Sequence, residues 1–247
     1  ESILLPSTIS LVPTCPIVYD MPSEIAQIFL KNPRMESEGL IFRVTSPQGD
    51  DFRYLRSCWE IPPSTKGRRK IWSPLSKGGE YQPYFGEFDL VINWDQENQT
   101  FRGFFGTSHR QLTKPACANL FMKPGITWSE RTASRFSPRI LHQDMVFSSV
   151  GPYCGGTDNC DLRLKLGILM STPFQFLLEL FQAAGDTTSS GSAARHYQVG
   201  ALRELPSPGM LQDSIQIISE SVEKIVLKLR KQSIENENSN HFVGPLS

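Results

Sequence analysis

The stretch between residues 123 and 151 carries the side chains best suited to contact with a polyanion. It combines the hydroxyl groups of Thr127 and Ser129 with the cations of Arg131 and Arg135, and its residue types favour β structure. Hydroxyl and guanidinium groups are common donors to phosphate oxygens. The pattern therefore predicts an exposed surface that binds a phosphate backbone.

Trp128 stands between the two hydroxyl residues, and the sequence leaves its role open. One possibility is a core residue that holds a strand in place. The other is an exposed aromatic side chain that packs on a nucleic-acid backbone.

A second basic stretch, from residue 64 to residue 77, holds five bases and no acid and ends at Lys77-Gly78-Gly79-Glu80. Two consecutive glycines let a backbone approach a partner closely or adopt a positive φ angle. Lys77 beside them is placed to meet a phosphate group. The alternative is a plain turn between two strands.

The charge of the whole chain balances at zero, with 25 Lys and Arg against 25 Asp and Glu. From residue 102 to residue 141, however, seven bases stand against one acid, Glu130. Basic stripes on a neutral protein are typical of a directional nucleic-acid surface. Solvated loops would produce the same local charge, so that alternative stays open.

The familiar catalytic and cofactor motifs are missing from the sequence, which has no GxGxxG, GxxxxGKS/T, HExxH or GxSxG pattern. Its four histidines are scattered, and its five cysteines fit neither a zinc site nor a disulfide framework. We therefore expect that this chain alone is no enzyme and that its thiols are free in a reducing cytoplasm. An active site built from residues distant in sequence is the open alternative.

The hydrophobic pattern changes character near residue 160 and predicts an α+β fold. Residues 1–160 are predicted as a β-rich, largely antiparallel body. Residues 161–247 are predicted as a helical part with a helix pair, a loop, a long amphipathic C-terminal helix and a disordered tail. No apolar run reaches the roughly 18 residues that a membrane span needs, so no membrane contact is expected.

Local signals also place individual elements along the chain. Residues 22–32 are predicted as a helix, and residues 161–182 as helical, with Pro173 either starting a second helix or kinking the first. Residues 62–80 are predicted as a basic loop, residues 197–205 as a strand or extended segment, and the chain from Ser233 as a fraying tail. Strands are expected at residues 88–94, 126–128 and 145–150, and within 40–61 on either side of a turn at 46–51.

Several short segments occur in a fixed order: KGGE at residues 77–80, GITWS at 125–129, SRFS at 134–137, and QVG at 198–200 followed by Leu-Pro at 205–206. In this order the chain resembles the C-terminal part of the adenine-specific DNA methyltransferases of the phage-exclusion (BREX, PglX-like) type, which are related to the Type IIG restriction-modification enzymes. The resemblance covers roughly residues 12–232. The sequence departs from the family at Thr45-Ser46-Pro47, where a Thr-Gly-x-Asn-like turn is usual.

The resemblance implies that residues 1–160 form a DNA target-recognition domain of a bacterial or archaeal defence or restriction-modification enzyme. The implied partners are double-stranded DNA, a methyltransferase catalytic domain and other defence-system proteins. The family's catalytic Asn-Pro-Pro-Tyr motif and its glycine-bearing AdoMet loop are absent from this sequence. No cofactor is therefore expected in this chain, and AdoMet is expected only for the catalytic domain.

On this interpretation, phosphate contacts set the register of the protein on DNA, and loops of the β body contact base edges. The C-terminal helix is expected to bury its apolar stripe against the chain or the catalytic domain, with coiled-coil self-association as the alternative. The main alternative function is a protein-docking module of a defence complex without sequence-specific DNA contact. The expected positioning residues are Lys77, Gly78, Gly79, Thr127, Ser129, Arg131 and Arg135, and the expected base-contacting residues are Gln48, Arg68, Arg69, Arg110 and Gln111.

Overall fold

Two four-stranded sheets and a set of helices make up the α+β fold that the sequence predicts. The computed structural model describes residues 23–45, 51–67, 70–94, 117–156, 160–182 and 195–241. The strands come mainly from the first part of the chain, and the longest helices come from the last part. The longest helices share the larger hydrophobic core with the first sheet.

The first sheet is antiparallel throughout and has the strand order β1-β9-β5-β7. Its side chains alternate in burial along β1, where Leu40 and Phe42 are buried and their neighbours are half-buried. Gly125 is required where β5 meets β9, because an added Cβ would lie 2.5 Å from the Tyr153 ring. The strands are β1 (Leu40–Arg43), β5 (Gly125–Thr127), β7 (Arg139–Leu141) and β9 (Tyr153–Gly156).

The second sheet has the order β2-β4-β3-β8 and ends in a parallel pair. Its members are β2 (Leu55–Ser57), β3 (Trp72–Ser76), β4 (Leu90–Asn93) and β8 (Val146–Phe147). A separate two-stranded ribbon joins β6 (Arg131–Thr132) to β10 (Arg195–His196).

The strand β3 changes partner in its middle. Residues 72–74 pair antiparallel with β4, whereas Leu75 and Ser76 pair parallel with β8. Pro74 stands at this change. Proline has no N–H for a ladder hydrogen bond, so it is tolerated where a strand has a neighbour on only one side.

The helices begin at recognisable local signals. Asp161 is the N-cap of α3, and its Oδ1 accepts hydrogen bonds from the N–H groups of Arg163 and Leu164. The helices are α1 (Ser23–Lys31), α2 (Asp51–Tyr54), α3 (Leu162–Met170), α4 (Thr172–Gln182), α5 (Val199–Glu204) and α6 (Gln212–Glu235). Short 3-10 turns occupy Met35–Glu38, Pro63–Thr65 and Ala118–Leu120.

The larger hydrophobic core joins the first sheet to the helices. Phe42 and Ile126 from the sheet share this core with Leu166 of α3 and Val222 of α6. Gly167 lets α6 approach α3 closely, because an added Cβ would lie 2.5 Å from Ile218 Cγ2. The core therefore draws on both sides of residue 160, and the division of the chain at that point stays a prediction.

A second core lies under the second sheet. Leu75, Ile92 and Phe147 from three of its strands pack there with Phe121. Phe147 and Phe121 meet edge to face with their ring centroids 4.9 Å apart, a favoured aromatic geometry. Aromatic contacts thus give this smaller core much of its packing.

Most of the predicted elements are confirmed. The helix at residues 22–32 is α1, the helix pair is α3 and α4, and the long amphipathic helix is α6. The strands expected at 88–94, 126–128 and 145–150 correspond to β4, β5 and β8.

Three predictions are wrong. Residues 62–80 contain β3 rather than being loop throughout, and residues 197–205 contain the helix α5. The strands expected on either side of the turn at 46–51 are present as β1 and β2, which belong to different sheets, while residues 46–50 of that turn lie outside the described residues. The chain does not fray from Ser233. This residue is buried, and its Oγ donates a hydrogen bond to the Glu87 carboxylate over 2.7 Å.

Within the described ranges, no single helix has the length and apolar character that crossing a membrane requires. The helices α3 and α4 pass that test only when they are counted together, and they are bent by 64°.

Candidate nucleic-acid interface

The loop of residues 77–80, here called the glycine loop, follows β3 and has an unusual backbone. Gly78 has a φ angle of 80° and Gly79 one of 116°, both in the region that side-chain-bearing residues rarely adopt. Space is also limited at Gly78, where an added Cβ would lie 3.3 Å from the carbonyl oxygen of Val150. A positive φ angle is one of the two properties that the sequence allowed for this glycine pair, and both residues have it.

Arg139 lies beneath the glycine loop and is almost wholly buried, with 1% of its surface exposed. Its Nη2 donates a hydrogen bond to the carbonyl oxygen of Gly78 over 2.5 Å. Its guanidinium also lies over the ring of Phe88, 5.7 Å from the centroid. Gly86 makes room for this side chain, because a Cβ there would lie 2.3 Å from Arg139 Cδ. No local pattern in the sequence marks this cation as internal.

Burial lowers the pKa of Arg139 to about 10. That value still leaves the guanidinium protonated at neutral pH. No ion pair to Arg139 occurs among the described residues, and its guanidinium donates hydrogen bonds to the carbonyl oxygens of Gly78 and Ser137. A charged group thus sits inside the protein next to the glycine loop.

Ser129 holds the second glycine of the loop. Its Oγ donates a hydrogen bond to the carbonyl oxygen of Gly79 over 2.8 Å. Thr127 is buried as well, with its Oγ1 2.8 Å from Ser76 Oγ. Because both hydroxyl groups are buried and engaged within the protein, the direct phosphate contact predicted for Thr127 and Ser129 does not fit their positions. They support the glycine loop instead.

Trp128 has the core role, one of the two that the sequence left open. Its side chain is fully buried, and its Nε1 donates to the carbonyl oxygen of Tyr197 over 2.8 Å. The ring meets Phe42 and Phe136 edge to face. Tyr197 in turn donates its N–H to the carbonyl oxygen of Glu130. These contacts join the segment around residue 198 to the strand that carries the candidate interface.

Arg131 and Arg135 are the exposed cations of the interface. Neither side chain has an ion-pair partner in the part of the chain that the structure describes. Arg131 begins β6, two residues after Ser129, so it is close along the chain to the residue that binds Gly79. Exposed, unpaired guanidinium groups are free to bind an anion.

Lys77 differs from these two arginines because it is paired. Its Nζ donates to the carboxylate of Asp51, at the start of α2. A phosphate contact by Lys77 would therefore compete with this ion pair. The five expected base-contacting residues (Gln48, Arg68, Arg69, Arg110 and Gln111) lie outside the described residues.

The described cysteines carry no sign of reactive or metal-binding chemistry. Burial raises the pKa of the Cys154 and Cys160 thiols, which favours the unreactive protonated form. No group of three or more His, Cys, Asp or Glu residues in the described ranges is arranged to hold a metal ion.

The chain matches no protein-family profile. It is 26% identical over 176 residues to the adenine-specific methyltransferase PglX of Lacticaseibacillus casei (strain Zhang), a match over 71% of this chain and 14% of that protein. It is 24% identical over 167 residues to the adenine-specific methyltransferase BrxX of Escherichia coli O9:H4 (strain HS), over 65% of this chain and 13% of that protein. The chain thus spans about a seventh of the length of each of these relatives. It is related in sequence to the adenine-specific methyltransferases PglX and BrxX.

Proposed function

We propose that this chain is the DNA sequence-recognition part of an adenine-specific DNA methyltransferase in a phage-defence (BREX) or restriction-modification system of a bacterial or archaeal cytoplasm. It binds double-stranded DNA and positions the target for a catalytic domain elsewhere in the parent protein. The similarity to PglX and BrxX supports this, as does the small share of those proteins that the chain spans. AdoMet is assigned to the catalytic domain and not to this chain.

The observation that carries the proposal is the glycine loop held from below, together with the exposed side chains of Arg131 and Arg135, which have no ion-pair partner among the described residues. The carbonyl oxygens of Gly78 and Gly79 both accept hydrogen bonds from inside the protein, from Arg139 and Ser129. Because these two carbonyl oxygens point toward their donors, the negative ends of their peptide dipoles face away from an approaching phosphate. A loop of this kind offers a DNA backbone little repulsion and close contact, since glycine has no side chain.

Arg131 and Arg135 supply the attraction at this surface. Contacts between arginines and phosphates release counterions, so they strengthen binding to any duplex and weaken as salt rises. They set the position of the protein, whereas the choice of sequence requires contacts to base edges. We assign those base contacts to Gln48, Arg68, Arg69, Arg110 and Gln111.

A protein-docking module is the second candidate, and exposed apolar side chains favour it. Phe52 is 95% exposed and Trp59 is 71% exposed. Large exposed aromatics are common at sites of protein contact. Such a module would bind a protein partner with little dependence on salt, which separates it from a DNA-binding part.

Fluorescence anisotropy with a labelled pool of random-sequence duplexes tests the proposal. The chain is titrated at about 50 mM and at about 200 mM salt, a range over which phosphate contacts lose much of their affinity. We expect binding that weakens steeply with salt while a sequence-enriched subset of the pool stays bound. Absence of binding at the lower salt concentration would count against the proposal.

Two double variants sharpen this test. Arg131→Ala with Arg135→Ala removes the two cations of the interface and should reduce the slope of log affinity against log salt by about two. Lys224→Ala with Lys228→Ala removes two exposed cations from α6, away from the glycine loop, and should leave the slope unchanged. An equal effect of both pairs would show that binding follows net charge rather than this surface.

A further inference from the structure

The lysine next to the glycine loop, Lys77, has its charge engaged within the chain. Its Nζ donates to the carboxylate of Asp51 at the start of α2. The pair is open to solvent, with 25% of the Lys77 side chain and 53% of the Asp51 side chain exposed. Ion pairs in contact with water are weak, because water screens the charges and both side chains lose freedom. A competing anion can therefore displace the carboxylate.

Asp51 belongs to a short helix that hydrogen bonds hold in place. Nη1 of Arg56, in β2, donates to the carbonyl oxygen of Phe52 over 2.7 Å and to that of Leu55 over 2.5 Å. These bonds join α2 to the start of β2, which pairs with β4 in the second sheet. Lys77, in contrast, carries its charge at the end of a flexible four-carbon chain. A change of partner at this ion pair therefore requires movement of the Lys77 side chain alone.

The position of Lys77 in the chain brings it to the glycine loop. It directly precedes Gly78, whose carbonyl oxygen is held by the buried guanidinium of Arg139. A phosphate in contact with this loop is thus within reach of the Lys77 ammonium. Lysine binds phosphate as a mobile point charge, and a phosphate offers several charged oxygens to it.

The other acid of the loop has a different effect from Asp51. Glu80 is exposed and has no ion-pair partner in the ranges that the structure describes. Its charge repels a phosphate and engages no cation of the loop. Asp51 repels a phosphate as well, but it also occupies the cation that would attract one.

We propose that Asp51 competes with the DNA backbone for Lys77. In the free chain the carboxylate holds the ammonium, and in the complex a phosphate beside the glycine loop takes the place of the carboxylate. The competition requires DNA contact at the glycine loop, so it rests on the proposed function. Asp51 thus lowers the affinity for DNA, whereas the interface residues assigned above raise it. Because phosphates carry no sequence information, the effect is the same for every duplex.

A double-mutant cycle in the whole chain tests this competition. Asp51→Asn, Lys77→Gln and the variant with both changes are compared with the unmodified chain by fluorescence anisotropy, with the random-sequence duplex pool at about 50 mM salt. Asp51→Asn should strengthen binding about fivefold, because it releases Lys77 and removes one negative charge. In the Lys77→Gln background the same change removes only the charge, so the gain should fall to about twofold or less.

Asp213→Asn is the matched control, because it removes an exposed acid from the first turn of α6 and should leave duplex affinity unchanged. All variants should keep the urea midpoint of the unmodified chain, since exposed ion pairs contribute little to stability. Unchanged or weaker binding by Asp51→Asn, or an equal gain in both backgrounds, would overturn the role of Asp51 alone. Absence of duplex binding by the unmodified chain would overturn the proposed function together with it.

Discussion

The guanidinium of Arg139, buried and protonated, donates a 2.5 Å hydrogen bond to the carbonyl oxygen of Gly78. Burying a charge is unfavourable unless strong hydrogen bonds compensate for the lost water. The contact also fixes one side of a loop whose two glycines have positive φ angles. This single side chain thus links the interior of the first sheet to the candidate interface.

Replacing Arg139 by lysine keeps the charge but removes the planar fork that reaches Gly78. The half-buried carbonyl oxygen then loses its donor, so the free energy of unfolding should fall by about 1–3 kcal/mol. Urea denaturation measures this loss, and duplex binding should weaken with it. The control is Arg131→Lys at an exposed position, which should stay within about 0.5 kcal/mol of the unmodified chain. Equal stability of the two variants would argue that the Arg139 contact contributes nothing.

Gly79→Ala should strain the glycine loop. A φ angle of 116° is unfavourable for alanine, at a cost of about 1–3 kcal/mol. Gly200→Ala provides the contrast, because Gly200 lies in α5 with nothing within 4 Å of an added Cβ. That change should be neutral or stabilise the chain by up to about 1 kcal/mol, since alanine favours helix. The midpoints of urea unfolding compare the two, and a neutral Gly79→Ala would contradict the strain.

Trp128→Phe should show the strength of the bond to Tyr197. Phenylalanine fills much of the same space but has no N–H, so the carbonyl oxygen of Tyr197 loses its buried donor. We expect a loss of about 1–3 kcal/mol in the free energy of unfolding. Trp59→Phe makes the same chemical change at an exposed position and should alter stability by less than about 0.5 kcal/mol. If both variants lower the free energy of unfolding by a similarly small amount, the hydrogen bond to Tyr197 contributes little to stability.

Stability should fall as the pH drops below about 6.5, the usual pKa of histidine. The folded-state pKa values of His142 and His241 are lowered, so in this window the unfolded chain binds more protons than the folded one. Unfolding is then favoured as pH falls, and stability rises with pH between the lowered values and about 6.5. Thermal unfolding at several pH values measures the slope. The slope of stability against pH should decrease in His142→Gln. An unchanged slope would show that His142 does not contribute to the pH dependence.

The sequence predicts the helices of this fold better than the strands, and the reason is local. Six apolar residues of α6 recur at helical spacing within one segment, and this signal needs no knowledge of the partner helix. The strand β3 was missed because its surroundings are rich in Pro, Gly and bases. Only its two successive partners, β4 and β8, make a strand at Pro74 acceptable, and those partners are distant in sequence.

The polar end of the chain was also misjudged for a physical reason. The composition after Ser233 is typical of a disordered tail, yet Ser233 and Asn240 bond to Glu87 and Asp89 of the second sheet region. Such bonds depend on tertiary structure, which local composition does not contain. The same holds for α5, where Gly200 weakened the helical signal.

The segments that form the candidate site were predicted correctly, but the burial of their side chains was not. Residues 77–80 and 127–131 do meet, through the hydrogen bond of Ser129 to Gly79. The sequence-based prediction placed the hydroxyl side chains of Thr127 and Ser129 at the surface together with Arg131 and Arg135. Burial depends on which face of a strand packs inward, and that placed Thr127, Ser129 and Arg139 inside while leaving Arg131 and Arg135 outside.

The 24-residue helix α6, about 36 Å long at 1.5 Å per residue, is attached to two different parts of the molecule, at its middle and just beyond its C-terminal end. Its middle packs on α3 through Val222, and the chain just beyond its end is tied to the second sheet region through Asn240. The helix therefore connects the two hydrophobic cores mechanically. Chimeric proteins that exchange this region should carry residues 23–241 as one piece. A junction near residue 160 would combine α6 with sheets from another protein, which lack its packing and hydrogen-bond partners.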